Sequence, residues 1–257
     1  MDVIELKARL KAGKRVFGTW SHLPYTTVVE IVGAAGLDFI VFDLEHGPHS
    51  FADLPSLYCA AEKSRIVPIT RVPGTGNSNI LRALDCGTRG VMVPHVDSAR
   101  VAGECLDAMV YGGSSRNRGI ATLTRASMFD YKSERSYLDG QTEKTLSVLM
   151  IEDRQGLDEL DDICALPGLD VLFIGIYDMS QSLGLKGDLT DPGFQKVFSE
   201  AVARVAEHGV AVGCYAHTAD AAAMLVELGV RFITIGVDGG VLRRGYDAVA
   251  DGVARWR

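Results

Sequence analysis

The chain has 257 residues, of which 47% are hydrophobic and 23% charged, a composition typical of folded globular proteins. Collagen-like, disordered and disulfide-rich chains are excluded by it. The 33 acidic residues exceed the 26 basic ones and give a net charge of −7, which opposes non-specific binding to nucleic acid or anionic lipid. The length fits one large domain.

The N-terminal segment and the cysteines bear on the compartment. The first 15 residues mix apolar and charged side chains, whereas a signal peptide needs a continuous apolar stretch. No window approaches the roughly 18 apolar residues needed to cross a bilayer, so a cytoplasmic location is expected. Cys59, Cys86, Cys105, Cys164 and Cys214 form no closely spaced pair, so we expect reduced, buried thiols rather than a zinc knuckle or disulfide bonds.

Eight short apolar runs alternate with segments of helical periodicity. Strands are predicted at 17–21, 39–43, 66–70, 90–94, 147–151, 171–174, 211–214 and 232–236. Helices are predicted at 27–35, 51–64, 77–85, 98–109, 157–165, 194–208 and 219–227. An open doubly wound sheet would give the same alternation, but eight strands in this length favour closure into an α/β fold of the (β/α)8 TIM-barrel type.

One long break interrupts this alternation, at 111–144, and it is rich in Gly, Ser, Arg and Asn. Loops of that length in compact domains are usually functional or carry small helices. We interpret the segment as a lid over the site. The sequence contains no evident interdomain linker, so a single domain over 1–257 is expected.

In such a barrel the chemistry lies at the C-terminal ends of the strands and in the loops after them. The polar or aromatic side chains there are Trp20, Ser21, His22, Asp43, Glu45, His46, His49, Arg71, His95, Asp97, Glu152, Asp153, Tyr177, Asp178, Tyr215, His217 and Asp238. No lysine ends a strand, which disfavours Schiff-base catalysis, because that chemistry needs a desolvated lysine on a rigid element.

Two carboxylates, Glu152 and Asp178, follow adjacent strands and could hold Mg²⁺ or Mn²⁺ with positions left open for substrate and water. Either one alone could instead cap the next helix. Glutamate is not among the preferred cap residues, so the pair favours a metal site.

His46 lies in a Gly- and Pro-containing loop that could present an imidazole for proton transfer near neutral pH. The alternative takes Glu45, His46 and His49 as zinc ligands, although they lack a helical frame. Arg71 would place a permanent cation at the mouth, suited to a carboxylate or an enolate oxygen. Its alternative is an ion pair with a neighbouring strand-end acid.

Two glycine-rich stretches are considered as phosphate sites. GTGNSN at 74–79 lacks the third glycine of a dinucleotide loop, so we interpret it as a helix entry. GVDGG at 236–240 could bind phosphate at a helix N-terminus, although Asp238 would repel an anion.

Six segments, in this order, carry a family resemblance: GTW at 18–20, DLEHGPHS at 43–50, PITRVPG at 68–74, LDCGTRGVMVPHVDSA at 84–99, MIED at 150–153 and FIGIYDMSQSLG at 173–184. With them the chain resembles the metal-dependent class II pyruvate aldolases of the HpcH/HpaI family, which includes 4-hydroxy-2-oxoheptane-1,7-dioate aldolase.

The resemblance implies a TIM barrel that cleaves a 4-hydroxy-2-oxo acid reversibly to pyruvate and an aldehyde. Glu152 and Asp178 would bind the divalent cation, which is Mg²⁺, Mn²⁺ or Co²⁺. His46, oriented by Asp85, would be the acid/base group, and Arg71 would stabilise the enolate oxygen.

The resemblance also assigns the substrate-binding residues and the assembly. Trp20 would form part of the pocket wall, and backbone amides around Gly175, Ile176 and Tyr177 would hold the pyruvate carboxylate. Members typically assemble as homohexamers in which the last helix, here within 242–257, swaps between paired barrels.

This chain departs from the family pattern at two places. Ile176 stands where a proline is common, and YGGSSRNRG at 111–119 replaces a Pro-Pro and Gly-rich turn that borders the acceptor side. Two enzyme alternatives keep the enolate chemistry, namely oxaloacetate decarboxylation and a citrate-synthase-like transfer. A third alternative is a noncatalytic barrel that binds an oxo acid.

Overall fold

The computed structural model describes residues 1–111, 118–129, 138, 140–141 and 143–256. The strands are β1 (Val16–Ser21), β2 (Phe39–Asp43), β3 (Val67–Arg71), β4 (Gly90–Val93), β5 (Leu146–Ile151), β6 (Val171–Ile174), β7 (Ala211–Ala216) and β8 (Phe232–Val237). The helices with at least five residues are α1 (Val3–Lys11), α2 (Thr26–Ala34), α3 (Leu54–Lys63), α4 (Asn77–Cys86), α5 (Ala99–Asp107), α6 (Arg154–Asp158), α7 (Leu160–Cys164), α8 (Ile176–Ser182), α9 (Pro192–Glu207), α10 (Ala219–Glu227) and α11 (Asp238–Ala254).

The eight strands form a closed, all-parallel barrel in chain order, with β8 paired to β1. This confirms the predicted (β/α)8 fold. The register places the strand ends side by side; for example, Asp43 at the end of β2 pairs with Arg71 at the end of β3. Side chains that end neighbouring strands therefore share one rim.

The core has an inner and an outer layer. Inside the barrel, Phe39 and Phe232 stack with ring centroids 4.1 Å apart, and Phe173 packs edge-on against Phe232 at 6.4 Å. Between strands and helices lies a larger apolar layer that includes Leu149, Ile151 and Val212. Strands covered on both faces explain the continuous apolar runs in the sequence.

Two helices were not anticipated from the sequence. Helix α1 is capped by Asp2, whose side chain accepts a hydrogen bond from the Glu5 N–H at 2.8 Å, and it buries Val3, Leu6 and Leu10 against the barrel interior. Helix α8 begins directly after Gly175, in a segment for which the sequence pattern predicts no helix. The predicted helix at 157–165 is instead two short helices, α6 and α7.

The five cysteines are free thiols, and their burial agrees with the expectation for some of them only. Burial raises the pKa of the Cys105, Cys164 and Cys214 thiols to about 12. Cys86 is half-buried and Cys59 is exposed, so the expectation of burial is wrong for Cys59, which lies on α3 beside the Arg125 guanidinium. Among the described helices, none combines the length and apolar character needed to cross a bilayer.

Within the segment 111–144, which we interpret from the sequence as a lid, residues 112–117, 130–137, 139 and 142 lie outside the described residues. In the described part, Arg125 donates to Glu62 of α3 at 2.8 Å, and the short 3-10 helix Arg125–Ser127 packs against α4. That part therefore lies against the outer helices rather than over the site.

Candidate active site

A cavity of about 300 Å³ opens at the C-terminal ends of the strands, where the site is expected. The described residues that line it are Trp20, His22, Asp43, His46, Arg71, Met150, Phe173, Gly175, Ile176, Tyr177, Asp178, Tyr215 and Val237. Seven of the nine predicted site residues are among them. Of the other two, Glu152 adjoins Gly175, and Asp85 lies elsewhere.

A bidentate ion pair joins the ends of β2 and β3. Arg71 donates from Nε to Asp43 Oδ1 at 2.8 Å and from Nη2 to Asp43 Oδ2 at 2.6 Å. Burial alone would raise the pKa of Asp43, but the hydrogen bonds and charge of Arg71, the Glu45 N–H and the His22 ring outweigh it and hold the pKa below its ordinary value. The anticipated ion pair of Arg71 therefore exists.

The Arg71 guanidinium also faces the cavity. Its central carbon lies 4.4 Å from the Trp20 ring centroid, and Nη1 lies 2.9 Å from Glu45 Oε2. The Trp20 indole N–H donates to Thr234 Oγ1 at 2.9 Å, which fixes the ring. A planar guanidinium clamped between a carboxylate and an indole is held in one orientation, with further N–H donors for a bound oxyanion.

His95 links this pair to the fifth strand. Its ring lies between two carboxylates, with Nε2 2.6 Å from Glu45 Oε1 and Nδ1 2.8 Å from Glu152 Oε1. Its backbone N–H also donates to Glu152 Oε1, at 2.7 Å. This needs a left-handed backbone at His95, with φ +57°, an uncommon conformation outside glycine. Arg71, Glu45 and His95 thus form a continuous chain of polar contacts from Asp43 to Glu152.

Glu152 and Asp178 form the acidic corner of the site. Glu152 is 5% exposed at the end of β5, and Asp178 lies in the first turn of α8. Burial raises the pKa of Glu152, and the carboxylates of Glu45 and Asp178 add to this against the lowering effect of His95. The Glu152 carboxylate is therefore buried with a second carboxylate, Asp178, close enough to disfavour its charged form.

This donor set fits a hard divalent cation. Mg²⁺ is usually bound by one or two carboxylates and keeps several waters, and a cation here would relieve the repulsion between Glu152 and Asp178. Within the part of the chain that the structure describes, no group of three or more His, Cys, Asp or Glu side chains forms a metal cage. The residues fit an open, two-carboxylate site rather than a closed one.

Gly175 leaves the space that Glu152 occupies. A Cβ built on Gly175 would lie 2.8 Å from Glu152 Cβ and 2.9 Å from Glu152 Oε2. The Gly175 N–H donates to the Ile151 carbonyl at 2.9 Å as part of the sheet. The expectation that this amide holds a substrate carboxylate is therefore wrong for Gly175, whereas Ile176 and Tyr177 open α8 with amides that have no intrahelical partner.

The structure does not bring His46 and Asp85 together. His46 is exposed on the cavity wall, where its backbone N–H donates to Asp43 Oδ1 at 3.3 Å. Asp85 lies in the last turn of α4, at the other end of the barrel, and its carboxylate accepts a hydrogen bond from Arg118 at 2.8 Å. Helices run back from the rim, so a residue at the end of α4 cannot reach the mouth of its own barrel.

An aromatic cluster forms the β6–β7 side of the mouth. The His217 ring lies between two tyrosines, with Nε2 hydrogen-bonded to the Tyr177 hydroxyl and Nδ1 3.0 Å from the Tyr215 hydroxyl. Burial raises the pKa of both phenols, and for Tyr215 this outweighs the lowering effect of the Arg244 charge. Tyr177 and Tyr215 line the cavity, while His217 lies behind them.

Contacts in the structure argue against two alternatives from the sequence. Asp153, not Glu152, caps the following helix by accepting from the Gly156 N–H at 2.7 Å. The zinc set is not assembled, because His49 Nε2 bonds the Ser21 carbonyl at 2.8 Å while Glu45 turns to Arg71 and His95.

The two glycine-rich stretches also have plain structural explanations. The predicted helix entry at 74–79 is confirmed, since α4 begins at Asn77. At the start of α11, the Asp238 carboxylate accepts from the backbone N–H groups of His22, Leu23 and Gly239. That carboxylate occupies the helix N-terminus where a phosphate was considered.

Several residues at the site had no assigned role in the sequence. The sequence identifies Asp43, His22, His95, Tyr215 and His217 only as side chains at or after strand ends. Their position was the available signal, because every strand end points to the rim. Their pairing depends on rotamers and on the left-handed turn at His95, which a single sequence does not reveal.

Comparisons with known proteins agree on one family. A family model described as HpcH/HpaI aldolase/citrate lyase matches residues 16–245. A hydroxypyruvate/pyruvate aldolase from Paraburkholderia phytofirmans is 32% identical over 238 residues, covering 91% of each chain. A 5-keto-4-deoxy-D-glucarate aldolase from Shigella boydii is 32% identical over 248 residues, 96% of this chain and 95% of that protein. The crystal structure of a family member from Burkholderia cenocepacia superposes with a TM-score of 0.91 at 30% identity, covering 97% of this chain and 99% of the other.

Proposed function

The chain belongs to the HpcH/HpaI aldolase/citrate lyase family and is a carbon–carbon lyase, and we propose that it cleaves a 4-hydroxy-2-oxo acid reversibly into pyruvate and an aldehyde. The observation that carries the proposal is the buried Glu152 beside Asp178, at a cavity that also presents Arg71. Among the described lining residues there is no lysine, which leaves the enolate to be stabilised without a Schiff base.

Glu152 and Asp178 would hold the divalent cation, Mg²⁺, Mn²⁺ or Co²⁺. When bound, such a cation supplies Lewis-acid stabilisation of the developing enolate charge. The backbone N–H groups of Ile176 and Tyr177, at the start of α8, bind the substrate carboxylate, because a helix N-terminus favours an anion. Trp20 forms the apolar wall beside the bound oxo acid.

His46 acts as the base in the cleavage direction. It removes the proton of the 4-hydroxyl, the C4–O bond becomes a carbonyl, and the C3–C4 bond breaks with its electron pair passing into the pyruvate enolate. Protonation at C3 then gives pyruvate, and aldol addition reverses each step. The proposed orientation of His46 by Asp85 would need a contact that the single chain does not make.

Arg71 donates hydrogen bonds to the enolate oxygen. Asp43 holds the guanidinium by two bonds, so its remaining donors are already oriented before substrate binds. A preorganised donor costs little reorganisation when charge develops, which is why a lysine in its place would stabilise the enolate less well.

The proposal is tested by pyruvate formation from a 4-hydroxy-2-oxo acid, with and without chelator. We expect EDTA to abolish turnover and added Mn²⁺ to restore it. Borohydride with pyruvate should leave the enzyme active, since no imine forms. Turnover that survives chelation and is lost to borohydride would reject the metal-enolate mechanism.

The residues that would hold the cation and the enolate, Glu152, Asp178 and Arg71, would also serve oxaloacetate decarboxylation or a citrate-forming transfer, because both reactions pass through a stabilised enolate. The family description, which joins aldolase and citrate lyase, is what favours keeping this second candidate. Oxaloacetate supplied with and without acetyl-CoA separates the three reactions by product: pyruvate and CO₂, citrate, or neither.

We also propose that the protein forms a homo-oligomer, a hexamer or a dimeric or trimeric subassembly of one, through α11. This helix buries only Asp238 in its own chain and exposes Val241, Leu242, Tyr246 and Val249. Large exposed apolar patches usually mark interaction surfaces. We propose that the apolar face of α11 packs into a second copy of the chain. Each copy offers an apolar groove of about 720 Å³ between α9 and α10 that could receive it.

A further inference from the structure

Tyr177, His217 and Tyr215 form a hydrogen-bonded unit in which each phenol occupies a different nitrogen of one ring. The three rings pack together, with centroid distances of 6.4 Å between the tyrosines, 5.7 Å from Tyr177 to His217 and 5.0 Å from Tyr215 to His217. Both tyrosines line the cavity, across from His46 and Arg71. The aldol mechanism above uses the backbone of Tyr177 but none of these side chains.

The hydrogen count of the unit leaves one phenolic proton uncommitted. Neutral imidazole carries one N–H and one lone pair, so one tyrosine must donate to the ring and the other must accept from it. The tyrosine that accepts keeps its own proton for another partner. The ring tautomer decides which tyrosine this is, so the unit can offer a donor and an acceptor to a ligand hydroxyl.

The charged side chains that line the cavity indicate which class of aldehyde it would bind. Arg71 is the one permanent cation among the described lining residues, and Asp43 already binds it. Asp43 and Asp178 line the same space, with Glu152 adjoining. The proposed cation at Glu152 and Asp178 and the Asp43-bound Arg71 both serve the pyruvate half of the substrate. No permanent cation among the described lining residues therefore remains for a carboxylate on the aldehyde, whereas a neutral hydroxyl would find the two phenols.

Resting on the aldolase function proposed above, we propose that the Tyr177–His217–Tyr215 unit is a specificity determinant that selects an uncharged, hydroxylated aldehyde as the acceptor. The phenols bind the hydroxyl group next to the aldehyde carbon. His217 is a positioning residue, because it fixes both phenols without lining the cavity.

The test compares two acceptors that differ by one hydroxyl, glycolaldehyde and acetaldehyde, with pyruvate and Mn²⁺ on the full-length enzyme. The readout is the ratio of kcat/KM for glycolaldehyde over acetaldehyde. We expect Tyr177→Phe and Tyr215→Phe each to lower this ratio about fivefold, the effect of one neutral hydrogen bond. Tyr25→Phe, which removes the hydroxyl of an exposed tyrosine outside the cavity, should keep the wild-type ratio.

Variants of His217 distinguish a positioning role from a general packing defect. His217→Leu should lower the ratio as the tyrosine variants do, and His217→Gln, whose amide both donates and accepts, should recover part of it. A wild-type ratio in either tyrosine variant, or equal losses for both aldehydes, would overturn the inference. A wild-type enzyme that condenses pyruvate with neither aldehyde would instead overturn the aldolase proposal itself.

Discussion

Asp43 is fully buried, yet its carboxylate is held in the ionised form by the residues around it. Arg71 contributes two hydrogen bonds, and His22 and the Glu45 N–H contribute one each. Such a pair stabilises the fold weakly as a whole, but removing one partner leaves the other charge buried without compensation. Asp43 therefore links the stability of the rim to the orientation of Arg71.

We predict that Asp43→Asn lowers the free energy of unfolding at pH 7 by about 3 kcal/mol and reduces kcat by at least about 100-fold. The folded-state pKa of Asp43 lies below its unfolded value, so its stabilisation is present at neutral pH and lost as the pH falls. Urea unfolding should show the gap between wild type and variant narrowing below about pH 4. The control is Glu104→Gln, at an exposed pair with Arg100 on α5, which should change stability by under about 0.5 kcal/mol at any of these pH values. An equal effect of the two variants would contradict the prediction.

Glu152 carries the metal hypothesis at the scale of one side chain. We predict that Glu152→Gln abolishes turnover and weakens Mn²⁺ binding by more than about 100-fold. A loss of that size exceeds the roughly 10- to 100-fold loss of affinity that is typical of residues that hydrogen-bond a metal ligand without touching the metal. His46→Ala should retain Mn²⁺ but slow cleavage, so calorimetry and steady-state assays separate the two roles.

Because burial raises the pKa of Glu152, its charge opposes folding at pH 7, and the metal-free Gln variant should unfold at a higher temperature than metal-free wild type. Full Mn²⁺ affinity in Glu152→Gln would remove the residue from the metal site.

At the scale of elements, the turn from β6 into α8 fixes the geometry of the acidic corner. We predict that Gly175→Ala reduces activity severely, because its methyl group would press on the Glu152 Cβ and Oε2 and on Met150 Cε, all within 2.9 Å of it. Gly103→Ala is the matched control: it lies inside α5 with nothing within 4 Å of the new methyl and should stabilise by up to about 1 kcal/mol with activity unchanged. Thermal melts with activity assays distinguish the two, and a fully active Gly175→Ala enzyme would refute this account of the corner.

The elements also show how far sequence reasoning reaches. All eight strands were predictable because each is a short apolar run between helical patterns, and their count with the chain length indicated closure. Once the barrel was assumed, Glu152, Arg71 and Asp178 followed from strand ends meeting at one rim. The pairing of His95 with two carboxylates did not follow, because it depends on a left-handed backbone at a residue other than glycine. The separation of His46 from Asp85 did follow, because a helix that ends at Asp85 runs back from the rim; their pairing was implied by the family resemblance alone.

Across the whole molecule, the two ends of the barrel have different roles: one closes the apolar interior and the other carries the site. Helix α1 closes the N-terminal end with Val3, Leu6 and Leu10, while the polar and charged side chains of the site meet at the other end. This separation lets the barrel bury its interior without compromising the site. Helix α11 carries a run of exposed apolar side chains, among them Tyr246, which is 71% exposed, and Val249, which is 63% exposed. A helix so poorly buried by its own barrel gains stability only by packing elsewhere.

The last prediction concerns that helix in the intact protein. We predict that Leu242→Glu combined with Val249→Glu converts the proposed oligomer into a monomer of 27.7 kDa, because two charges would have to be desolvated in the apolar contact. Light scattering after gel filtration gives the mass, and circular dichroism checks that the barrel persists. Ala206→Glu adds one charge to an exposed position of α9 outside the groove and should leave the mass of the assembly unchanged. A double variant that keeps the wild-type mass would show that α11 is not the contact, and a wild-type protein that is already a monomer would remove the oligomer from the proposal while leaving the aldolase site untouched.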